Sequence, residues 1–426
     1  MQCKLLWFIW VLLLTFNGSS YCQEAFNHGV PIKPAQADSL FLARNLLLLA
    51  EKYNVEAARA QIIQARLFNN ITFSVSQNVY NPETKDWFDL SEAGETAASF
   101  QKLFLLAGKR NKRIRMADLS YQKEEQHYFD MIRTLKFTMR TDFYNIYFLK
   151  QILAVYDKEI TSLSNMVAVF EQQSAQGYVS RSEALRLKSS LLSLESEKNS
   201  YVTQLIANLA DFNLLLQSTN IDYSPQPDSL FLNSTPLQCV KLQALIDTAV
   251  RNRYDLLMAG SDLNINEMNV KYQKSQAVPD LTMMAGWDRN GSFVHNYNFI
   301  GMQIDLPFSN RNQGNIKSAE FNLASSKAAL QSAGDKVKSD VIGAYATALA
   351  ADNLYHRFDA KFVKELAVLT EEMKINYEKR NVSTVEFLDF YDAFKNNIIQ
   401  LNNLQNARAS AFENLSFSVG KDFMNK

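Results

Sequence analysis

The chain has 426 residues, 47% hydrophobic and 21% charged, which is enough apolar material to bury a sizeable core. Lys plus Arg and Asp plus Glu each number 44, so there is no electrostatic footprint for nucleic acid or an anionic membrane surface, and nucleic acid is excluded as a partner. With only 13 glycines and 8 prolines, one elongated helical unit is favoured over several small domains.

Met1 to Lys4, with one basic residue, lead into an apolar run from Leu5 to Phe16 and then polar or small residues from Asn17 to Gln23. This is the pattern of a secretory signal, too short for a good membrane span. Cleavage is placed after Cys22, giving a signal peptide over residues 1–22. A lipoprotein signal that acylates Cys22 is the alternative, and Tyr21 opposes it because a small residue normally precedes an acylated cysteine. Cleavage removes Cys3 and Cys22 and leaves Cys239 alone, so no disulfide is expected within one chain.

Residues 23–37 lack periodicity and read as an N-terminal arm. From Asp38 to about Leu67, apolar residues including Leu40, Leu47, Val55 and Ile62 recur at helical spacing. The pattern then switches to strict alternation from Ile71 to Tyr80, ending at Asn81-Pro82, which predicts a strand. A polar stretch carrying Trp87 and Phe88 precedes a second strand over about 97–106. Beyond Gly108 no glycine or proline occurs until Gly177, and this run reads as an amphipathic helix roughly 100 Å long at about 1.5 Å per residue. It turns near residues 174–183 and returns to about Leu216.

The same order then recurs. The first copy covers 38–220, a linker covers 221–240, and the second copy covers 241–426, with strands at about 281–288 and 297–307 and a turn at about 378–386. Val179-Ser180-Arg181-Ser182-Glu183-Ala184-Leu185 is echoed by Val382-Ser383-Thr384-Val385-Glu386-Phe387-Leu388, a shared V-S-x-x-E-x-L. Two copies of a half-domain, not a solenoid, are present. In the last strand Ile300, Met302, Ile304 and Leu306 share a face opposite Gly301, Gln303 and Asp305. Hairpins of this kind, isolated between helices, need further strands. Several subunits closing them into a barrel would leave no edge unpaired.

No G-x-S-x-G, H-E-x-x-H or phosphate-cradling glycine loop occurs, so an enzyme is not expected. His28, His127, His295 and His356 are scattered and the methionines form no cluster beyond Met283-Met284, so neither a metal site nor a cofactor is expected.

Taken together, the repeated order of helix, strand pair, long helix, tip turn and returning helix resembles the TolC-type outer-membrane efflux family across nearly all of the mature chain. Ala65-Arg66-Leu67-Phe68-Asn69-Asn70 is similar to the family's approach to its first strand, with Asn70 where proline is common. Gly108-Lys109-Arg110-Asn111-Lys112-Arg113 and the segment from Asp305 to Asn315, which includes Pro307, Asn310 and Arg311, resemble the CzcC-like branch serving heavy-metal cation efflux.

The resemblance implies a mainly α fold with a small β part. It also implies a homotrimer whose four strands per chain form a twelve-stranded barrel in outer-membrane lipid of a Gram-negative bacterium, continued by a helical periplasmic tunnel. The implied partners are a periplasmic adaptor (membrane fusion protein) and an inner-membrane pump of the RND type. Gly177-Tyr178-Val179-Ser180 matches the family's tip motif, and Arg380-Asn381-Val382-Ser383 follows it with Arg380 where glycine is common; both are candidate adaptor-docking tips, or simple helix-to-helix turns capped by Ser180 and Ser383.

Glu386 and Asp389, three apart on one helix face, match the family's acidic pair at the periplasmic entrance. Threefold repetition would make them a carboxylate ring; otherwise they are solvated first-turn acids complementing the helix dipole. Gly108, Lys109, Arg110, Pro307, Asn310 and Arg311 mark the barrel-to-helix junction, where Lys109, Arg110, Arg113 and Arg115 are either headgroup anchors or solvated charges. A TolC-like channel for drug efflux or type I secretion shares this fold, and a soluble periplasmic coiled-coil scaffold is the alternative from another class.

Overall fold

A computed structural model describes residues 29–218, 223–227, 237, 240–291, 294–357 and 360–422. The signal peptide, Cys22, His28 and Cys239 lie outside the described residues, as does part of the linker. The chain divides into two compact units. One gathers Met1–Leu49, Met131–Asn252 and Lys338–Lys426, and the other Ala50–Asp130 and Arg253–Val337.

In the first unit the arm is not featureless. Its Val30–Ile32 (β1) pairs in parallel with Tyr223–Pro225 (β4) from the linker, a three-residue match too short for periodicity to betray. A helix begins directly afterwards at Pro34–Arg44 (α1), where proline suits the first turn. The single helix expected from Asp38 is therefore two. Asn45 interrupts it, donating from Nδ2 to Leu215 O at 2.9 Å and accepting from Leu48 N at 3.0 Å, before Leu46–Arg66 (α2) continues.

The long helices follow the amphipathic runs. Lys109–Ala175 (α3) spans 67 residues and contributes to both units, and Arg181–Leu216 (α4) returns from it. The second copy adds Leu242–Asn252 (α5), Tyr254–Gln276 (α6), Gln313–Arg357 (α7), Ala360–Glu378 (α8) and Thr384–Val419 (α9). The first unit's core is apolar and aromatic, with Phe143, Ile146, Phe148, Ile152 and Phe212 almost fully buried. Arg408 is also buried there, donating to the buried Asp352 at 2.8 Å, since a charge taken out of water needs an opposite partner. Among the described residues no helix is long and apolar enough to cross a membrane.

In the second unit Thr72–Gln77 (β2), Thr96–Phe104 (β3), Leu281–Gly291 (β5) and Val294–Ile304 (β6) form one antiparallel sheet of order β2-β3-β5-β6. The two hairpins are thus not isolated. They pair with each other in cis, β3 against β5, from Ala97 opposite Asp288 to Phe104 opposite Leu281. Only β2 and β6 remain as outer strands of this sheet. The first strand is shorter than its alternation predicts and stops at Gln77; beyond it, Tyr80 keeps only an isolated bridge to Trp87.

Candidate tips, entrance and barrel wall

Register divides the sheet into two chemically distinct faces. Phe73, Phe100, Ala285 and Ile300 lie in one row across all four strands, with the Phe73 and Phe100 rings 4.7 Å apart. Lys102, Met283 and Met302, then Phe104, Leu281 and Ile304, continue the same face, with the Lys102 ammonium 5.9 Å from the Phe104 ring. The opposite face carries Ser74, Ser99, Gly286 and Phe299 in one row and Thr72, Gln101, Met284 and Gly301 in the next.

The apolar face is uncovered: Ile300 is 84% exposed, Met302 74% and Phe73 57%. A contiguous apolar surface of this kind needs lipid or a protein partner. At 11 residues each, β5 and β6 have the length of a tilted membrane strand.

The end of β2 is secured by the loop that follows. Asp89 accepts from Asn81 Nδ2 at 2.8 Å, Thr84 Oγ1 at 2.9 Å and Ser91 N at 2.9 Å. These bonds, led by those from Ser91, hold its carboxyl far below the usual carboxylate range. Arg289 and Asn290 of β5 donate to the main-chain oxygens of Leu90, Ser91, Glu92 and Gly94, tying loop to sheet.

At the junction below the sheet, Gly108 takes a φ of +66°, which favours glycine, and α3 starts at once. Lys109 is neither a headgroup anchor nor a solvated charge. It is buried at 3% exposure, with Nζ 2.7 Å from Val278 O and 2.8 Å from Asp280 Oδ1, because burial of an ammonium requires compensation. Asp280 also accepts from Leu106 N, so one carboxylate joins the ends of both hairpins. Arg110 donates to Arg66 O and stacks over Phe68 at 3.9 Å. In the second copy Arg311 donates to Pro307 O at 3.3 Å, while Asn310 accepts from Asn312 N at 3.0 Å. Arg115 is exposed and pairs with Asp118.

The two tips have the same backbone. At the first, Gly177 sits at φ +80°, Tyr178 N donates to Gln173 O, and Ser180 caps α4 by accepting from Glu183 N at 3.2 Å. At the second, Arg380 sits at φ +62°, Asn381 N donates to Asn376 O, and Ser383 caps α9 by accepting from Glu386 N at 3.2 Å. An arginine in this conformation costs roughly 1–2 kcal/mol relative to glycine. Its side chain offers compensation by reaching the first tip, where Nη1 donates to Tyr178 O at 3.3 Å and Nη2 to Gln173 Oε1 at 3.0 Å.

Beneath the turns, Phe170, Tyr377 and Phe387 form a continuous stack, with centroids 5.1 and 4.5 Å apart. Val179 is buried in this cluster, whereas Tyr178 points outward, 68% exposed. Val382 is half-buried, and Asn381 and Ser383 are exposed.

Glu386 and Asp389 are both exposed at the start of α9, but their surroundings differ. Asp389 lines an open groove between α4 and α9 with Arg186, Glu197, Asp392 and Lys395, and Glu386 does not. Lys395 is buried and bridges Glu197 at 2.9 Å and Asp392 at 3.4 Å, while Tyr156 also donates to Glu197 at 2.9 Å. Nothing in the sequence singles out Glu197, Asp392 and Lys395. Their only signal was a charge on a helix face, which is usually solvated.

His127 is not isolated as its sequence position suggests. It meets Glu51 and Glu124 in the second unit, with ligand atoms of all three within 4.8 Å of one another.

Residues 245–421 match the sequence model of the outer membrane efflux protein family. Over that stretch, under half of the chain, the sequence is similar to the family. It is 24% identical over 333 residues to the nickel-cobalt-cadmium resistance protein NccC of Alcaligenes xylosoxydans xylosoxydans, covering 75% of this chain and 69% of that protein. The fold is similar to the Campylobacter jejuni CmeC outer membrane channel, with TM-score 0.76 and 14% identity over 91% of this chain and 85% of that one. It is also similar to CusC, with TM-score 0.71 and 17% identity over 92% and 93% of the two chains. The fold is TolC-like, mainly helical with a small sheet.

Proposed function

We propose that this chain is the outer-membrane channel of a tripartite efflux system that exports heavy-metal cations. The observation that carries the reading is a four-stranded sheet with one uncovered, mainly apolar face, an opposite face that carries Thr72, Ser74, Ser99 and Gln101, and two outer strands. A bilayer accepts such a sheet only when its edges are closed. Three copies joining β2 of one to β6 of the next make a twelve-stranded barrel, with the serine-rich face toward the lumen and Phe73, Phe100, Ile300 and Met302 toward lipid. The chain then resides in the outer membrane and extends into the periplasm.

The paired tips form the surface for a periplasmic adaptor, itself held by an inner-membrane pump of the RND type. Outward-facing Tyr178 supplies an aromatic contact on a turn made rigid by the Arg380 tie. Glu386 and Asp389, repeated by symmetry, form an acidic entrance that favours cations. Cation cargo is supported by the similarity to NccC and by the Asp305–Asn315 segment. Deletion of the gene followed by growth on graded zinc, cobalt, cadmium, copper and a set of dyes tests this. Lost metal tolerance is expected; unchanged metal tolerance with lost dye tolerance would assign the channel to drug efflux.

A further inference from the structure

We propose that Glu51, Glu124 and His127 bind one divalent transition-metal ion of the zinc, cobalt or nickel class on the helical wall of each chain. The site rests on these residues and not on the channel reading. Glu124 and His127 are three apart on α3, so the helix presents both on one face. Glu51 comes from α2, far away in sequence, and is only 6% exposed. Nδ1 of His127 lies 2.6 Å from Glu51 Oε1, and ligand atoms of the three residues are mutually within 4.8 Å.

The donor set selects the ion. Calcium and magnesium favour all-oxygen shells, whereas an imidazole with carboxylates suits zinc and its neighbours. Three protein ligands leave a position for water or a transported ligand. Support from outside the cluster is present too: Asn54 Nδ2 donates to Glu51 Oε2 at 2.9 Å, fixing the carboxylate's orientation. The neighbouring Lys123 does not neutralise the cluster, because its ammonium pairs with Asp262 at 2.7 Å.

The test uses the full-length mature protein without a polyhistidine tag, in detergent, stripped with chelator and titrated with Co2+ and then Zn2+. Equilibrium dialysis should give one ion per chain, Co2+ should develop ligand-field absorption, and Zn2+ should displace it. His127→Ala and Glu124→Gln, at positions that are exposed and half-buried, should each weaken binding at least about tenfold with unchanged helix content. His356→Ala should bind like the parent protein. Absence of ligand-field absorption, or equal binding by the parent and His127→Ala proteins, would reduce the cluster to an ion pair and overturn the proposal. Because neither readout depends on transport, failure here leaves the efflux reading intact, and failure of efflux leaves the site intact.

Discussion

The guanidinium of Arg380 donates to the main-chain oxygen of Tyr178 at 3.3 Å, so the tip that lacks a glycine is braced by the tip that has one. Duplication produced two turns of the same backbone, and the departure at position 380 replaces conformational ease with a bond between copies. Removing the arginine therefore has two separable consequences. Arg380→Gly loses the tie but relaxes the backbone, whereas Arg380→Ala loses the tie and keeps the strain. Denaturant unfolding should rank the parent protein first and place Arg380→Ala about 1 kcal/mol below Arg380→Gly.

The sheet offers a steric contrast between two of its glycines. A Cβ at Gly286 would lie 2.7 Å from Phe299 Cζ and 2.8 Å from Ala98 O, the latter a backbone atom that cannot yield without disturbing the β3–β5 pairing. At Gly301 the neighbour is Met284 Cγ at 3.0 Å, on a flexible side chain. Gly286→Val is expected to abolish the assembly that resists sodium dodecyl sulfate before heating, while Gly301→Ala retains it. Gel mobility with and without boiling checks both.

Asp142 makes stability depend on pH. Burial first, and then the charge of Asp211, push its carboxyl up to about 7, and its Oδ2 is buried with no hydrogen-bond partner. The folded state keeps this proton up to about pH 7, whereas the unfolded chain releases it near pH 4. Over that window the folded protein binds more protons, so this group's contribution to stability falls as pH rises and levels off above about 7. Asp142→Asn should be more stable than the parent at about pH 8, by a margin on the order of 2 kcal/mol that vanishes below about pH 4. Chemical denaturation at several pH values measures that difference.

For the entrance, planar-bilayer conductance of Glu386→Gln with Asp389→Asn should lose preference for cations over anions. Asp389 should account for more of the loss than Glu386, because it lines the groove between α4 and α9 and Glu386 does not. Unaltered selectivity would remove both carboxylates from the entrance.

Much of this arrangement was legible in the sequence because periodicity and repetition are local or translational signals. The alternation in Ile71–Tyr80 and Leu281–Trp287, the glycine-free run after Gly108 and the shared V-S-x-x-E-x-L each encode one element. What escaped was set by contacts distant in sequence. β1 and β4 are three residues each and meet across the first copy, so neither has a period to detect. Lys109 sits in a basic run that looks solvated, and only the approach of Val278 and Asp280 makes it a buried lock. His127 looked solitary because Glu51 lies on another helix. The break at Asn45 could have been suspected, since a short polar side chain can satisfy backbone groups in place of the helix.

The central claim is that β2 and β6 are closed by other copies of the chain within a membrane. Native mass spectrometry of the protein extracted from outer membranes in mild detergent tests it most directly. A complex of three chains that dissociates only with unfolding is predicted. A single chain, recovered from the soluble periplasmic fraction without detergent, would contradict it.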